Sequence, residues 1–235
     1  MFKRLFSLVL VGALAAAFFP LFAAIGDRAD TSSLAGRYLD EGPEALGSAN
    51  LVTSVIVTYR GLDTLGEVTV LFAASAGIGL VFSRMQPSPA TRRTSTNHPP
   101  SELVVTGAGL LLPLITLFGI FIFVHGHLTP GGGFQGGVIV ASGVLLAFLS
   151  GTLKELSHGL LAALELCAGA GYVAVGLLGL WLAGGFLDPR FLPTGEIGAL
   201  FSGGAIPIIY TLIGIKVGAE LSGVIDAMRQ RRVSP

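Results

Sequence analysis

Apolar runs separated by short polar breaks fill most of this chain. They cover residues 5–25, 63–82, 103–124, 134–149, 160–183 and 197–219. Most approach the roughly 20 residues that a helix needs to cross a bilayer, so six spans are expected. Between the first two lies a shorter apolar stretch, residues 50–59. Its Leu51, Val52, Val55, Ile56 and Tyr59 fall on one helical face. Ten residues are too few to span, so a half-helix at the outer boundary is expected, with a short strand as the rival because the stretch is rich in β-branched residues.

The breaks divide the chain. Lys3 and Arg4 precede the first run, and Ala23 and Ala24 close it, which resembles a signal peptide. The run is longer than a usual signal core and long enough for a first span. Residues 26–48 are polar and mostly acidic, and are expected as an external loop. Pro87, Pro89, Arg92, Arg93, Pro99 and Pro100 mark residues 87–101 as an extended cytoplasmic linker. It joins a two-span part, residues 1–86, to a four-span part, residues 102–235. The expected fold class is all-α: a polytopic membrane protein of about six transmembrane helices (2 + 4) plus one external half-helix.

Composition agrees. Of 235 residues, 52% are hydrophobic and 12% charged, against about a quarter charged in soluble domains. The formal net charge is zero, and nothing points to nucleic acid. The cations are nevertheless asymmetric. Lys3, Arg4, Arg84, Arg92, Arg93, Lys154, Arg229, Arg231 and Arg232 fall on one side of six alternating spans; Arg28, Arg37, Arg60 and Arg190 fall on the other. The richer side is expected to be cytoplasmic, with both termini inside. Trp181 and Tyr59 suit an interfacial belt. Cys167 stands alone in an apolar run, so a buried structural thiol is expected, with no internal disulfide and no Cys/His zinc spacing.

The most distinctive break reads H-G-H-L-T-P-G-G-G-F-Q-G-G from His125 to Gly137. Pro130 followed by Gly131, Gly132 and Gly133 stops any helix, since an interior Gly costs about 1 kcal/mol and an interior Pro about 3 kcal/mol relative to Ala. A helix is expected to end near Val124 and another to start near Phe134 or Gln135. Gly136 and Gly137 close the motif, and Gly137 and Gly143 leave room for close backbone approach. Two readings are open. One is a tight turn between spans; the other is a backbone-lined loop at a polar pathway, which must be buried in protein or face water. No nucleophile–base set is present, and the glycines are not a phosphate loop, because no Lys-Ser/Thr follows and no strand precedes.

Four ionisable residues fall within expected spans. A charge at the centre of such a helix costs about 2.5–3.5 kcal/mol. Glu67 lies about one turn inside the outer end of the second span, and Glu165 about two turns inside the cytoplasmic end of the fifth. Lys216 and Glu220 occupy the last turns of the sixth, where Lys216 either snorkels or pairs and Glu220 sits at the interface. Antiparallel packing of the last two spans predicts a Glu165–Lys216 pair. Outside, Arg60 and Asp63 are i,i+3 neighbours, and Asp63 or Thr64 is a candidate helix cap. His125 and His127 lack a third ligand for a metal; hydrogen bonding or proton transfer near neutral pH suits them better.

Residues His125 to Gly137 closely resemble the signature of the MnhB-type subunit of Mrp (Mnh)-type multisubunit cation/proton antiporters. This domain also occurs in the sodium module of membrane-bound hydrogenases, and the resemblance covers residues 103–221. The stretch 50–70, with Arg60-Gly61-Leu62-Asp63-Thr64-Leu65-Gly66-Glu67, resembles the C-terminal part of the large MnhA-type subunit of those antiporters. In the hydrogenases that part is a separate small subunit. The chain thus looks like a fusion of the two.

This resemblance implies a non-catalytic subunit without a cofactor, Na+ or H+ being the transported ion. It sits in the plasma membrane beside large antiporter-like subunits and, in the hydrogenase form, a redox arm. It also places Glu67 and the Pro130–Gly137 loop in the region assigned to ion movement. Glu67, with Asp63 nearby, is then expected to bind a proton or sodium reached past His125, His127 and the loop, whose carbonyls are expected to supply further oxygen ligands. Glu165 and Lys216 form a polar station nearer the cytoplasm on the strength of their cost alone. The rival is a scaffold protein that seals and orients the larger subunits. A self-sufficient transporter is disfavoured because no inverted repeat relates the two parts.

Overall fold

The computed structural model describes residues 33–84 and 99–233, with scattered positions before residue 20. The first expected span and most of the 87–101 linker therefore lie outside the described residues. Residues 1–40 and 41–235 form two compact units, and the hydrophobic core lies in the second. The described elements are α1 (Ser33–Leu46), α2 (Leu51–Thr53) running on into a π-helical turn (Ser54–Tyr59), α3 (Gly61–Arg84), α4 (Glu102–Val124), α5 (Gly133–Leu149), α6 (His158–Leu182), a 3-10 turn (Pro189–Phe191) and α7 (Ile206–Val233). No strand occurs among the described residues.

Local chemistry sets the boundaries. Asn50, Ser101 and Ser157 cap α2, α4 and α6 by accepting from the backbone N–H groups of Thr53, Val104 and Leu160, each satisfying a donor the helix leaves unpaired. Stretch 50–59 is helical, as its apolar face suggested. It is widened into i→i+5 bonding, with Arg60 N–H donating to the Val55 carbonyl at 2.8 Å.

Two boundaries depart from expectation. Residues 26–48 were expected as a loop, yet Ser33–Leu46 is a helix with Pro43 inside it. The last span, expected at 197–219, starts at Ile206 and runs to Val233. Residues before it are apolar, but Gly203 and Gly204 adopt positive φ, and Pro207 sits in the first turn, where its missing N–H costs nothing.

Among the described residues four helices are long and apolar enough to cross a membrane: Gly61–Phe82, Glu102–Val124, His158–Leu182 and Ile206–Gln230. Gly133–Leu149 is apolar but shorter. Helix α7 is the centre. Of its span window 56% is buried, against 6% for α3, and Ile206, Ile209, Tyr210, Ile213 and Val217 form its core stripe. The outer helices turn large apolar side chains outward: Val70 and Leu80 on α3, Leu110 and Leu117 on α4, Trp181 at the end of α6. Cys167, expected to be buried, lies on such an outward face. In a bilayer an apolar run gives no reason to point inward, since lipid tails are as apolar as a core.

Glycines bring α5 against its neighbours. A Cβ at Gly136 would stand 2.6 Å from the Gly119 carbonyl oxygen of α4, and one at Gly137 would stand 2.8 Å from the Gly214 carbonyl oxygen of α7 and 2.7 Å from Val217 Cβ. A Gly137→Val substitution should therefore destabilise the chain by about 1–3 kcal/mol through overpacking. Gly107→Ala, where nothing lies within 4 Å, should not. Thermal unfolding of the detergent-solubilised protein checks both, and equal melting temperatures for the two variants would refute the close packing of α5 on α7.

Candidate functional site

The glycine-rich break is a closed connection. Helix α4 ends at Val124, α5 starts at Gly133, and the turn between them is held by the segment leading into α2. Asn50 Nδ2 donates to the carbonyls of Gly126 and Thr129, both at 2.9 Å, and its backbone N–H donates to the His127 carbonyl at 3.0 Å. Ser48 Oγ donates to the same carbonyl at 3.0 Å, and Thr53 Oγ1 donates to Gly126 at 2.7 Å. Tyr210 Oη on α7 meets Thr53 Oγ1 at 2.9 Å. Gly126 has no room for a side chain, since a Cβ would stand 2.6 Å from the Tyr210 ring. The carbonyls of Gly126, His127 and Thr129, just ahead of the Pro130–Gly137 loop, are thus occupied by the chain's own donors. Pro130 is exposed, Gly131 and Phe134 half-buried, and Gly132, Gly133, Gly136 and Gly137 buried.

The two histidines part company. His125 is half-buried and stacks on Phe121 at 4.1 Å between ring centroids, with Nδ1 3.1 Å from the Phe121 carbonyl oxygen. His127 is fully buried, and neither ring nitrogen has a partner in hydrogen-bonding geometry. Burial holds its pKa below the ordinary 6.5; the backbone of Ala199, Leu200 and Val124 pulls the other way, and His125 reinforces the lowering. Among the described residues no three His, Cys, Asp or Glu side chains gather as a metal site.

The remaining outer candidates face outward. Asp63 pairs with Arg60 at 2.5 Å, both more than half exposed, a pair worth at most about 1 kcal/mol. Thr64 does not cap α3; its hydroxyl donates to the Ile56 carbonyl at 2.6 Å and secures the π-helical turn. Glu67 is exposed on the free face of α3. A pair the sequence reading did not foresee lies in the loop after α6. Asp188 takes both Nε (2.9 Å) and Nη2 (2.5 Å) of Arg190, and these hydrogen bonds hold its pKa below the usual carboxylate value.

Deeper in, the expected Glu165–Lys216 pair is replaced. Lys216 Nζ donates to Glu220 Oε1 on its own helix at 2.5 Å, with the two side chains 10% and 0% exposed. The same ammonium sits 4.9 Å from the Phe72 ring centroid on α3. The start of α7 explains the change. Because the span is Ile206–Gln230, Lys216 and Glu220 flank its midpoint, Gly218, about 18 Å of helix from either end at 1.5 Å per residue. Neither side chain reaches an interface from there. Glu165 is half-buried and lines a cleft with Glu220 and another with Lys216. Near the end of α7, Asp226 is buried and contacts Arg229 (3.4 Å), Gln230 (2.7 Å) and His158 (3.8 Å). The sequence reading missed it by ending the span at 219; the Gly203-Gly204…Pro207 start signal would have found it.

Two outcomes are expected. Thr53→Val should destabilise the chain by about 1–3 kcal/mol by leaving the buried Gly126 carbonyl and Tyr210 hydroxyl short of a partner, seen as a lowered melting temperature. His127 binds a proton less readily folded than unfolded, so stability should fall as pH drops below about 6.5, where only the unfolded chain gains the proton. Thermal unfolding from about pH 7.5 to about pH 5.5 checks this; His127→Gln should flatten the slope.

Similarity to known proteins follows the same geography. A family model described as a domain related to the MnhB subunit of Na+/H+ antiporter matches residues 103–223, and the model of the MbhE family, a component of MBH, matches residues 3–98. An uncharacterized protein of Methanocaldococcus jannaschii is 31% identical over 196 residues, 74% of each chain. A chain in the structure of the membrane-bound sulfane sulfur reductase, an archaeal respiratory membrane complex, is 43% identical with a TM-score of 0.80, covering 97% of this chain and 98% of that one. A chain of the Mrp complex from Dietzia sp. DQ12-45-1b is 27% identical with a TM-score of 0.70, covering 94% of this chain and 26% of that one. The protein is a multi-pass membrane protein of the transporter-subunit kind, and it belongs to the family of domains related to the MnhB subunit of Na+/H+ antiporters.

Proposed function

We propose that this chain lines part of the Na+/H+ translocation path of an Mrp-type multisubunit assembly, and performs no catalysis itself. Sodium or protons are the transported ions, and no cofactor is held. The observation that carries the reading is the retention of ionisable groups at membrane depth: Glu67 on α3, Glu165 on α6, and the Lys216–Glu220 pair on α7. Each costs several kcal/mol in lipid unless it meets protein or water. Glu67 is exposed on α3, so a neighbouring subunit or a water-filled passage shared with one completes its surroundings. His125 and His127 stand at the expected outer side of that approach.

The assembly is proposed to sit in the plasma membrane with both termini of this chain cytoplasmic, and with large antiporter-like subunits as neighbours. The similarity to a chain of a respiratory complex over nearly its whole length supports a redox arm as a further partner.

The scaffold reading has its own support in the hydrogen bonds that close the glycine-rich turn. One experiment divides the two. Glu67→Gln in the intact complex should abolish sodium-dependent proton transport in sealed vesicles while subunit composition stays the same. Undiminished transport would reject the carboxylate's role and favour the scaffold.

A further inference from the structure

We propose that the cleft between α3, α6 and α7 binds one monovalent cation, a proton or a sodium ion, held between Glu165 and Glu220 and exchanged by movement of the Lys216 ammonium. The proposal rests on the reading of the chain as part of an ion path and names where within this chain the ion is held.

Charge balance is the first argument. Lys216 contributes one positive charge, Glu165 and Glu220 two negative ones, and the cluster is one cation short. No other described element supplies it. Helix α3 presents Phe72, Ser75, Ala76 and Gly79 to the cleft, α6 presents only Glu165 as a charge, and α5 covers the opposite face of α7 with Gly137 against Gly218. Asp226 and Arg229 lie more than a turn further along α7 and engage each other. Among the described residues Glu165 has no ion pair. A single extra positive charge neutralises the cluster, whereas a divalent ion would leave it charged again. An unbalanced charge in low dielectric is costly, which favours monovalent occupancy.

Geometry is the second argument. Glu220 uses Oε1 for Lys216, while Oε2 is buried and has no partner at all. The side chain is 0% exposed, so bulk water does not satisfy that oxygen. Glu220 and Glu165 line the same open cleft of about 190 Å³. Glu165 Oε1 approaches α7 closely, 3.9 Å from where a Cβ on Gly223 would stand, one turn beyond Glu220. As the side chain stands Glu220 Oε2 is shut off from the cleft; rotation of that carboxylate would bring oxygens from two helices to an ion held there.

Exchange is the third. Lys216 and Glu165 together line an adjoining cleft of about 300 Å³, and the Lys216 stem runs in van der Waals contact past Gly169. Rotation of that stem within the cleft would carry the ammonium from Glu220 toward Glu165. Paired with Glu220, it leaves Glu165 to hold the ion; swung toward Glu165, it leaves Glu220 to hold it at the midpoint of the span. The ion passes from one carboxylate to the other without any change in the cluster's net charge.

Infrared difference spectra of the intact complex in lipid test this directly, recorded on adding sodium at fixed pH and on stepping the pH in sodium-free buffer. A carboxyl band should respond to one or the other. That response should disappear in Glu165→Gln and in Glu220→Gln and persist in Glu102→Gln, an exposed carboxylate outside the cleft. A response to sodium at fixed pH identifies sodium as the ion, and a response to pH alone identifies the proton. Should Glu220→Gln fail to assemble, Glu165→Gln reads the same band, since neutralising a carboxylate outside any ion pair breaks no salt bridge. Spectra that are unaltered by Glu165→Gln, or no carboxyl response in the wild-type complex, overturn the proposal. If sodium-dependent transport is still lost in Glu67→Gln when that happens, the wider reading stands and the cleft alone is refuted.

Discussion

The contact of α5 with α4 and α7 across bare glycine backbone is what the rest of the molecule depends on. Gly133, Gly136 and Gly137 face Ile213, Gly119 and Gly214 at separations that exclude even a methyl group. Such packing is how helices associate where lipid removes the hydrophobic drive. It draws α4 and α5 onto one side of α7, while α3 and α6 take the other. The face of α7 that carries Lys216 and Glu220 is buried among these helices. Whatever polar chemistry α7 carries must be met by its neighbours, and so the choice of glycine on α5 fixes the environment of Lys216 and Glu220 on α7.

How much of this was legible in the sequence depended on the range of the interaction. The end of α4 at Val124 and the restart of α5 at Gly133 were readable because Pro130 and three glycines act on their own backbone. The helical character of 50–59 was readable from its apolar face. The start of α7 was misread because Ile197, Leu200 and Phe201 extend the apolar window backward, while the decisive signals, Gly203-Gly204 and Pro207, are local and conformational. That shift from 197 to 206 moved Lys216 and Glu220 from a boundary to the middle of the span, and replaced an expected interhelical pair by an i,i+4 one. The hydrogen bonds from Ser48, Asn50 and Thr53 to the turn cross 73 to 79 residues and end on backbone carbonyls, which carry no side-chain pattern to read. Cys167 misled for another reason: in lipid, apolar does not mean inward.

The polar groups separate by depth, and the separation bears on whether the chain conducts or merely supports. At the expected outer end most partners are local and complete. The turn carbonyls are filled by Ser48, Asn50 and Thr53, Asp63 has Arg60, and Asp188 has Arg190. The His127 ring and the hydroxyls of Thr58 and Ser202 are buried without a partner, and burial favours the neutral form of the ring. Groups so satisfied have little left to offer a passing ion, and what they do is hold α2 and the α4–α5 turn against α7 as one rigid end.

The middle of the span is different. There the chain keeps an ammonium paired with a carboxylate that has one bare oxygen, and a second carboxylate with no ion pair among the described residues. A scaffold gains nothing from that arrangement, because replacing a buried ion pair with apolar side chains of similar volume is commonly neutral or stabilising. Selection for packing alone would remove the imbalance, most simply by losing Glu165. In the proposed site its presence beside the cleft is accounted for by a monovalent cation that comes and goes. The two readings of the chain would then apply to different levels of the same molecule: a largely hydrogen-bonded end that aligns its helices, and a centre where the proposed ion supplies the missing charge.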